Sequence, residues 1–260
     1  MAALRFYRHL YVTALKSRAE YRGDFAVSVV TAFLMQLSAL SFYWVVFARV
    51  PALGGFSAAN VLSLFGLCAM TLALSELLFN GIWQLPFYIQ NGEMDRLLIY
   101  PVDSLLFLLV SRPELHALGN FTSGAVLLGI SWHLEPPPAL AYALLPVWLL
   151  SGSIVYSSAL VVIGCLSFVM VGPWSFHYFI AFHLLNATRY PVNIYPRWLR
   201  GVLFFVMPLA VSTFLPVAWV TGRGSFWLAL LAPPVAAVLS AVVASVTFRA
   251  AIRRYQSTGT

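Results

Sequence analysis

Long apolar runs follow one another along nearly the whole chain, and the first of them already indicates which solvent the protein needs. Residues 25–47 contain no charged side chain. A helix rises about 1.5 Å per residue, so a helix of this length crosses the roughly 30 Å hydrocarbon core of a bilayer. The run is longer than the apolar part of a signal peptide, about 7–15 residues, so we expect it to remain as a membrane span.

The low charge content extends this prediction to the rest of the chain. Hydrophobic residues make up 61% of the 260 residues and charged residues only 9%, whereas a soluble domain has about 25% charged residues. A fold of this size with so few charges would not cover its surface in water. The composition therefore predicts an all-α integral membrane protein, because helices satisfy their own backbone hydrogen bonds in lipid.

The basic excess has the distribution typical of membrane anchoring. Lys and Arg together number 15, against 8 for Asp and Glu. The arginines stand beside apolar runs, as in proteins that are oriented by a bilayer, and do not form the single basic patch typical of nucleic-acid binding. We expect membrane lipids and no nucleic acid as partners. Cys68 and Cys165 lie inside apolar runs, which indicates neither a disulfide framework nor a metal site.

The N-terminal residues 1–24 are predicted to form an amphipathic helix that lies in the headgroup plane. Arg5, His9 and Lys16 fall on a face turned away from Tyr7 and Tyr11. Such a helix turns its basic side toward anionic lipid. A solvated basic tail is the alternative interpretation.

Residues 25–260 are predicted to form a six-helix transmembrane domain. The spans lie at about residues 25–47, 58–79, 104–132, 140–170, 174–188 and 226–248. The apolar segment 203–220 contains Pro208 and Pro216 and is compatible with a full span or a re-entrant segment. With six spans, ten of the 15 basic residues are cytosolic; a seventh span would leave seven. The positive-inside rule favours six spans, both termini cytosolic, and an external re-entrant region at about residues 189–225.

The sequence lacks the common motifs for nucleotide binding, zinc-dependent proteolysis and serine hydrolysis. It has no GxxxxGK[ST] phosphate loop, no HExxH and no GxSxG, and its single lysine is Lys16. Glu93 and Asp95 form the one close carboxylate pair in the polar segment between residues 84 and 103. They indicate either a short amphipathic helix at Glu93–Ile99, with acidic residues in its first turn, or a site for Mg²⁺ and a phosphorylated head group.

Ionisable residues near the apolar runs have two interpretations. Arg112 and Glu114 stand near the start of the third predicted span, and Glu76 near the end of the second. Charged groups at membrane depth are costly and often functional, which would suit transport. Long side chains near an interface also serve as anchors, and Glu76 can hydrogen bond to a neighbouring helix.

The order of these features resembles the permease subunits of bacterial type-2 ABC transporters. The segment after the second span reads Ile-Gln-Asn-Gly-Glu-Met-Asp-Arg-Leu-Leu-Ile-Tyr-Pro over residues 89–101. In that family the corresponding loop has a glycine, then acidic and leucine positions, then a proline. The Tyr-Pro pairs at 190–191 and 195–196, followed by Pro208 and Pro216, are similar to the external re-entrant region of one bacterial subfamily. The resemblance covers essentially the whole chain.

The resemblance implies a non-catalytic permease of an ATP-driven exporter in the cytoplasmic (inner) membrane. Two cytosolic ATP-binding subunits would bind ATP and Mg²⁺, with no cofactor on this chain, and a second permease, identical or homologous, would complete the transporter. A coupling helix at about residues 91–100 would sit in a groove of the ATPase. Its contact residues would be Gly92, Glu93, Met94, Asp95, Arg96, Leu97 and Leu98. We expect Met94, Leu97 and Leu98 to divide between membrane and partner.

The substrate path implied by the resemblance lies between the two permeases, along the second and fifth spans. Its candidate residues are Met70, Leu74, Phe176, Phe182 and Asn186. Two other classes stay open at this point. A secondary transporter would use Glu76 or Glu114 and need no ATPase, whereas a membrane-embedded lipid- or glycan-processing enzyme would use Glu93 and Asp95. The sequence leaves the substrate open.

Overall fold

The described part of the chain is helical. A computed structural model describes residues 2–20, 22–99, 102–168 and 174–255, and apart from one isolated bridge between Leu53 and Phe56 these residues form no strand pairing. The α-helices are α1 (Ala2–Glu20), α2 (Arg22–Phe47), α3 (Ala58–Phe79), α4 (Leu85–Gln90), α5 (Glu93–Ile99), α6 (Ser104–Val110), α7 (Ala117–Leu134), α8 (Ala139–Cys165), α9 (Trp174–Ala187), α10 (Arg197–Gly201), α11 (Leu209–Val220) and α12 (Phe226–Ile252).

Three helical segments of the described chain are long and apolar enough to cross a membrane. They are Ala58–Gln90, Ala139–Phe168 and Phe226–Ile252. A fourth crossing would require the pair Arg197–Val206 and Leu209–Val220, which is bent by 102°. The all-helical class, with three or four helices able to cross a membrane, is therefore confirmed. The count of six spans stays a prediction.

The helix α3 lies at the centre of the bundle and packs closely against α7 and α8. The approach to α7 depends on two glycines that face each other. A Cβ atom on Gly66 would lie 2.7 Å from the backbone nitrogen of Leu128, and one on Gly124 would lie 2.9 Å from that of Met70. Because lipid is as apolar as the helices, spans associate through such close backbone packing.

The helix α12 lies along α8 at the edge of the bundle. Its buried side is made mostly of alanines, such as Ala229, Ala236 and Ala244, while large aliphatic side chains such as Val238 and Val242 are exposed. This asymmetry suits a helix that turns one face to lipid. The small residues on its buried face let the backbones of α12 and α8 approach closely.

A proline in α12 leaves a polar group that a neighbouring helix satisfies. Pro233 has no N–H, so the carbonyl of Ala229 loses its usual partner four residues later. The indole Nε1 of Trp148 on α8 donates to this carbonyl at 2.8 Å. The side chain of Trp148 is buried. The proline thus becomes a specific link between α8 and α12.

The predicted third span, residues 104–132, is wrong as a single helix. The helix α6 ends at Val110, residues 111–116 form a break, and α7 begins at Ala117. Pro113 accounts for the break, because proline lacks a backbone donor and restricts the residue before it. The polar segment 84–103 also contains one helix that was not expected, α4, ahead of the predicted helix at Glu93–Ile99.

The predicted re-entrant region contains a sharp break. Residues Val202–Val206 form a wide, π-type turn that ends at Met207, and Pro208 precedes α11. The Met207 nitrogen donates to the Val202 carbonyl at 2.8 Å. Proline at this position stops the first helix and starts the second in a new direction.

The glycine contact between α3 and α7 gives a direct test of the fold. Gly124→Ala should destabilise the protein by about 1–3 kcal/mol, because the added methyl group has no space against Met70. Gly129→Ala on the same helix meets nothing within 4 Å and should be neutral or stabilising by up to about 1 kcal/mol. Thermal unfolding of both purified variants measures the difference. Equal unfolding temperatures would contradict the assigned contact.

Candidate functional site

The helix predicted at Glu93–Ile99 is present with those bounds as α5. It follows a tight turn in which Gly92 has a φ of 70°, a left-handed conformation that glycine adopts without steric cost. The Asn91 nitrogen donates to the Phe87 carbonyl at 3.0 Å and closes α4. The Asn-Gly pair therefore sets the direction in which α5 leaves α4.

One face of α5 is buried inside the chain and the rest is exposed. Met94 is 0% exposed and Leu97 is 3% exposed, and both belong to the buried cluster that also contains Leu108 and Phe248. The expectation that Met94 and Leu97 would divide between membrane and partner is therefore wrong. They face the interior because residues three apart share one side of a helix.

The exposed face of α5 combines charge with apolar surface. Leu98 is 38% exposed and Ile99 is 81% exposed. Glu93 and Arg96 are exposed too, and Asp95 is half-buried. The buried side chains hold the helix on the bundle, so the exposed residues form a fixed surface.

Three helices meet at Asp103, four residues after α5 ends. Its Oδ1 atom accepts from the Leu106 nitrogen at 2.9 Å and caps α6. Its own nitrogen donates to the Tyr7 hydroxyl of α1 at 3.0 Å. Its Oδ2 atom lies 3.8 Å from Nη2 of Arg249 on α12. The predicted N-terminal helix is thus attached beside α5 through Tyr7.

The basic face predicted for α1 is exposed in the structure. Arg5, His9 and Lys16 are exposed, while Tyr7 and Tyr11 are half-buried. The Tyr11 hydroxyl donates to the carbonyl of Leu77 on α3 at 2.9 Å. Whether the exposed face contacts lipid stays a prediction.

The acidic residues Glu76 and Glu114 come together around His116. The Nε2 atom of His116 lies 3.5 Å from Oε2 of Glu76, and Nδ1 lies 3.6 Å from Oε2 of Glu114. Asn120 donates to the same Glu76 oxygen at 3.4 Å. A neutral imidazole has one N–H donor, so both contacts are favourable only for the protonated ring.

This cluster lies at the break between α6 and α7. The Glu114 nitrogen donates to the backbone carbonyl of Glu76 at 3.4 Å, and Arg112 lies over the Tyr88 ring at 5.9 Å. Residues of the break thus contact α3 through Glu76 and α4 through Tyr88. Sequence reasoning singled out both carboxylates but missed His116, whose partner Glu76 is remote in sequence.

The carboxylates Glu93 and Asp95 do not converge on a common point. Residues two apart on a helix do not face each other, and Glu93 is exposed. No group of three or more His, Cys, Asp or Glu side chains suited to a metal ion occurs among the described residues. The arrangement offers α5 a surface role more readily than a catalytic one.

The candidate substrate-path residues lie in different surroundings. Met70 is 5% exposed, and Leu74 packs against the second buried cluster, which contains Met70 and Leu128 of α7. Phe182 is 47% exposed on α9, and Asn186 donates to the Phe182 carbonyl at 2.7 Å. The side chain of Phe176 lies outside the described residues.

A small apolar cleft that opens to the surface lies beside the exposed face of α9. It is lined by Ile82, Trp83, Pro86, Leu160, Ile163, Gly164, Tyr178 and Ala181. The Trp83 and Tyr178 rings are 5.2 Å apart, and Tyr178 stacks on Phe182 at 5.9 Å. Sequence reasoning missed Trp83 and Tyr178, although aromatic residues four apart on one helix, as in 178 and 182, were a usable signal.

A double-mutant cycle tests whether the His116 cluster fixes the helix break. Glu76→Gln and His116→Gln should each lower the unfolding temperature and show a coupling of about 1 kcal/mol, since the pair is partly exposed. Glu135→Gln, whose carboxylate contacts Ser57 elsewhere in the chain, should show no coupling with His116→Gln. Independent, additive effects of Glu76→Gln and His116→Gln would contradict the role assigned to the pair.

Comparison with known families assigns the chain as a whole. The family model described as "ABC-2 family transporter protein" matches residues 33–259, which include α3 to α12. No curated protein and no solved structure matches the chain. Permeases of this family are multi-pass membrane proteins that generally pair with an ATP-binding subunit. The chain therefore belongs to the ABC-2 transporter family and is a permease subunit of a type-2 ABC transporter.

Proposed function

We propose that this chain is the membrane subunit of an ATP-driven exporter in a bacterial cytoplasmic membrane, and that α5 is its coupling helix. The observation that carries the proposal is the division of α5 into a buried and an exposed face. Met94 and Leu97 fix the helix to the bundle, and Leu98 and Ile99 are left exposed next to charged residues. An apolar centre with a polar rim is the composition of a protein-binding surface.

The energy source of the proposed transporter is a partner. The chain lacks a phosphate loop, and its single lysine, Lys16, lies on the exposed side of α1. We propose that two cytosolic ATP-binding subunits supply ATP and Mg²⁺, and that a second permease, identical or homologous, completes the transporter. The substrate then passes between the permeases, where Phe182 and the cleft beside Trp83 and Tyr178 are the accessible candidates on α9.

The secondary-transporter alternative depends on the carboxylates of the His116 cluster. Both Glu76 and Glu114 face a ring nitrogen of His116, and the cluster lies where α6 gives way to α7. These contacts favour a structural role for both carboxylates. The alternative of a lipid- or glycan-processing enzyme has less support, because Glu93 and Asp95 do not converge.

Single-cysteine labelling tests the proposed topology of six spans with an external re-entrant segment. The native Cys68 and Cys165 are buried, so they give little background. Ser225→Cys should react with a membrane-impermeant maleimide on intact cells, and Ile99→Cys only after permeabilisation. If residues 203–220 cross the membrane completely, Ser225→Cys becomes cytosolic and reacts only after permeabilisation, which would refute the proposed topology.

Removing the exposed apolar residues of α5 tests the docking role. The double variant Leu98→Ser, Ile99→Ser should recover about tenfold less ATP-hydrolysing subunit in co-purification from native membranes, because truncating interface anchors typically costs more than about 1.4 kcal/mol. Its unfolding temperature should stay at the wild-type value. Leu134→Ser, at an exposed site of α7, is the matched control. Undiminished recovery with the double variant would exclude docking through this face.

A further inference from the structure

The end of α12 contacts the connection between α5 and α6. Arg249 lies 3.8 Å from Asp103, which stands four residues after the end of α5 and caps α6. One residue earlier, Phe248 is 1% exposed and belongs to the same buried cluster as Met94 and Leu97. The last turn of α12 therefore contacts the connection that follows α5 and shares a buried cluster with the interior side of α5.

A second contact follows where α12 ends. Tyr255 packs its ring edge-on against Phe168 at 5.9 Å, and Phe168 in turn meets Phe248 at 6.4 Å. Burial raises the pKa of Tyr255, and the nearby Asp95 carboxylate raises it further. The Tyr255 ring also packs against the buried cluster that contains Met94 and Leu97, so Tyr255 lies beside α5.

A helix of seven residues needs such contacts to keep one orientation. Isolated helices shorter than about 12 residues are marginal in water, so tertiary contacts decide where α5 lies. Met94 and Leu97 hold one face of it down. They leave its tilt to be fixed by groups near its middle and its end, which are Asp95 and Asp103.

We infer that residues 248–255 act as a strap that positions α5 for its protein partner, with Tyr255 as the main positioning residue and Arg249 as a minor one. This inference rests on the proposed function of α5. The ranking follows from exposure: the Arg249 side chain is 73% exposed, and solvent and salt screen such pairs strongly. Tyr255 is partly buried and adds an aromatic contact, which is worth more.

Hydrogen exchange on the full chain in lipid nanodiscs tests the strap without any partner. Tyr255→Ala should accelerate amide exchange in Glu93–Ile99 by roughly fivefold while α8 keeps its wild-type protection. Tyr255→Phe, which keeps the ring but removes the hydroxyl beside Asp95, should give an intermediate acceleration, and Arg249→Gln should change exchange by less than about twofold. Unchanged exchange in α5, or equal acceleration in α8, would overturn the inference.

Two matched variants control for the loss of a charge and of an aromatic ring. Arg254→Gln removes an exposed arginine near the same helix end, and Tyr142→Ala removes a 55% exposed tyrosine from the start of α8. Neither should alter exchange in α5. An effect of Arg254→Gln equal to that of Arg249→Gln would show a general charge effect and remove Arg249 from the strap.

The second readout separates positioning from simple folding. In nanodiscs titrated with the ATP-binding subunit that co-purifies with the wild-type chain, Tyr255→Ala should raise the half-saturating subunit concentration by roughly fivefold. The maximal ATP hydrolysis rate should not change. Faster exchange with an unchanged half-saturation would refute positioning. If the wild-type chain recruits no such subunit, the proposed function fails, while the exchange result still decides whether the strap exists.

Discussion

In lipid, every polar group released by a break in a helix must find its partner inside the chain, and this requirement shapes the whole bundle. Pro233 frees a carbonyl in α12, and Trp148 occupies it. The break at residues 111–116 interrupts the path from α6 to α7, and His116 with its two carboxylates closes it against α3. At Pro233 and Pro113, a proline that interrupts the hydrogen bonding of one helix is therefore accompanied by a specific contact with another helix.

The glycine contact between α3 and α7 makes these polar partners reachable. With Gly66 and Gly124 facing each other, the two backbones approach closely enough for side chains at both ends to meet. Ser63 and Ser131 hydrogen bond at 2.6 Å near one end, and Glu76 meets Asn120 near the other. Small residues in the middle and polar pairs at the ends thus fix the register of the two helices.

The sequence predicted helix bounds well where residues next to the helix end determine them. The bounds of α3 follow from its apolar run, and those of α5 from the turn at Gly92 and the proline after Tyr100. The third predicted span failed because Pro113 was interpreted within an apolar run that continues on both sides of it. Hydropathy reports how apolar a run is. It does not report whether a proline inside the run removes the backbone N–H that a continuing helix needs.

The site was less predictable because its contacts join residues that are far apart in sequence. Glu76 and Glu114 were recognised as unusual, yet their shared partner His116 becomes evident only when α3 and α7 are packed together. The expected placement of Met94 and Leu97 was wrong for the same reason. A seven-residue amphipathic segment does not reveal whether its apolar side meets lipid, a partner or its own chain, and here the cluster with Leu108 and Phe248 decides it.

The same cluster gives the proposed coupling helix a mechanical connection to the bundle. Met94 and Leu97 belong to the same buried cluster as residues of α8, α9 and α12. Protein interiors are close-packed and transmit displacement. A partner that pushes on Leu98 and Ile99 therefore acts on the whole buried cluster and not on a loosely attached loop. The exposed and buried side chains of α5 belong to one short helix, so a displacement of its exposed side would also displace its buried side.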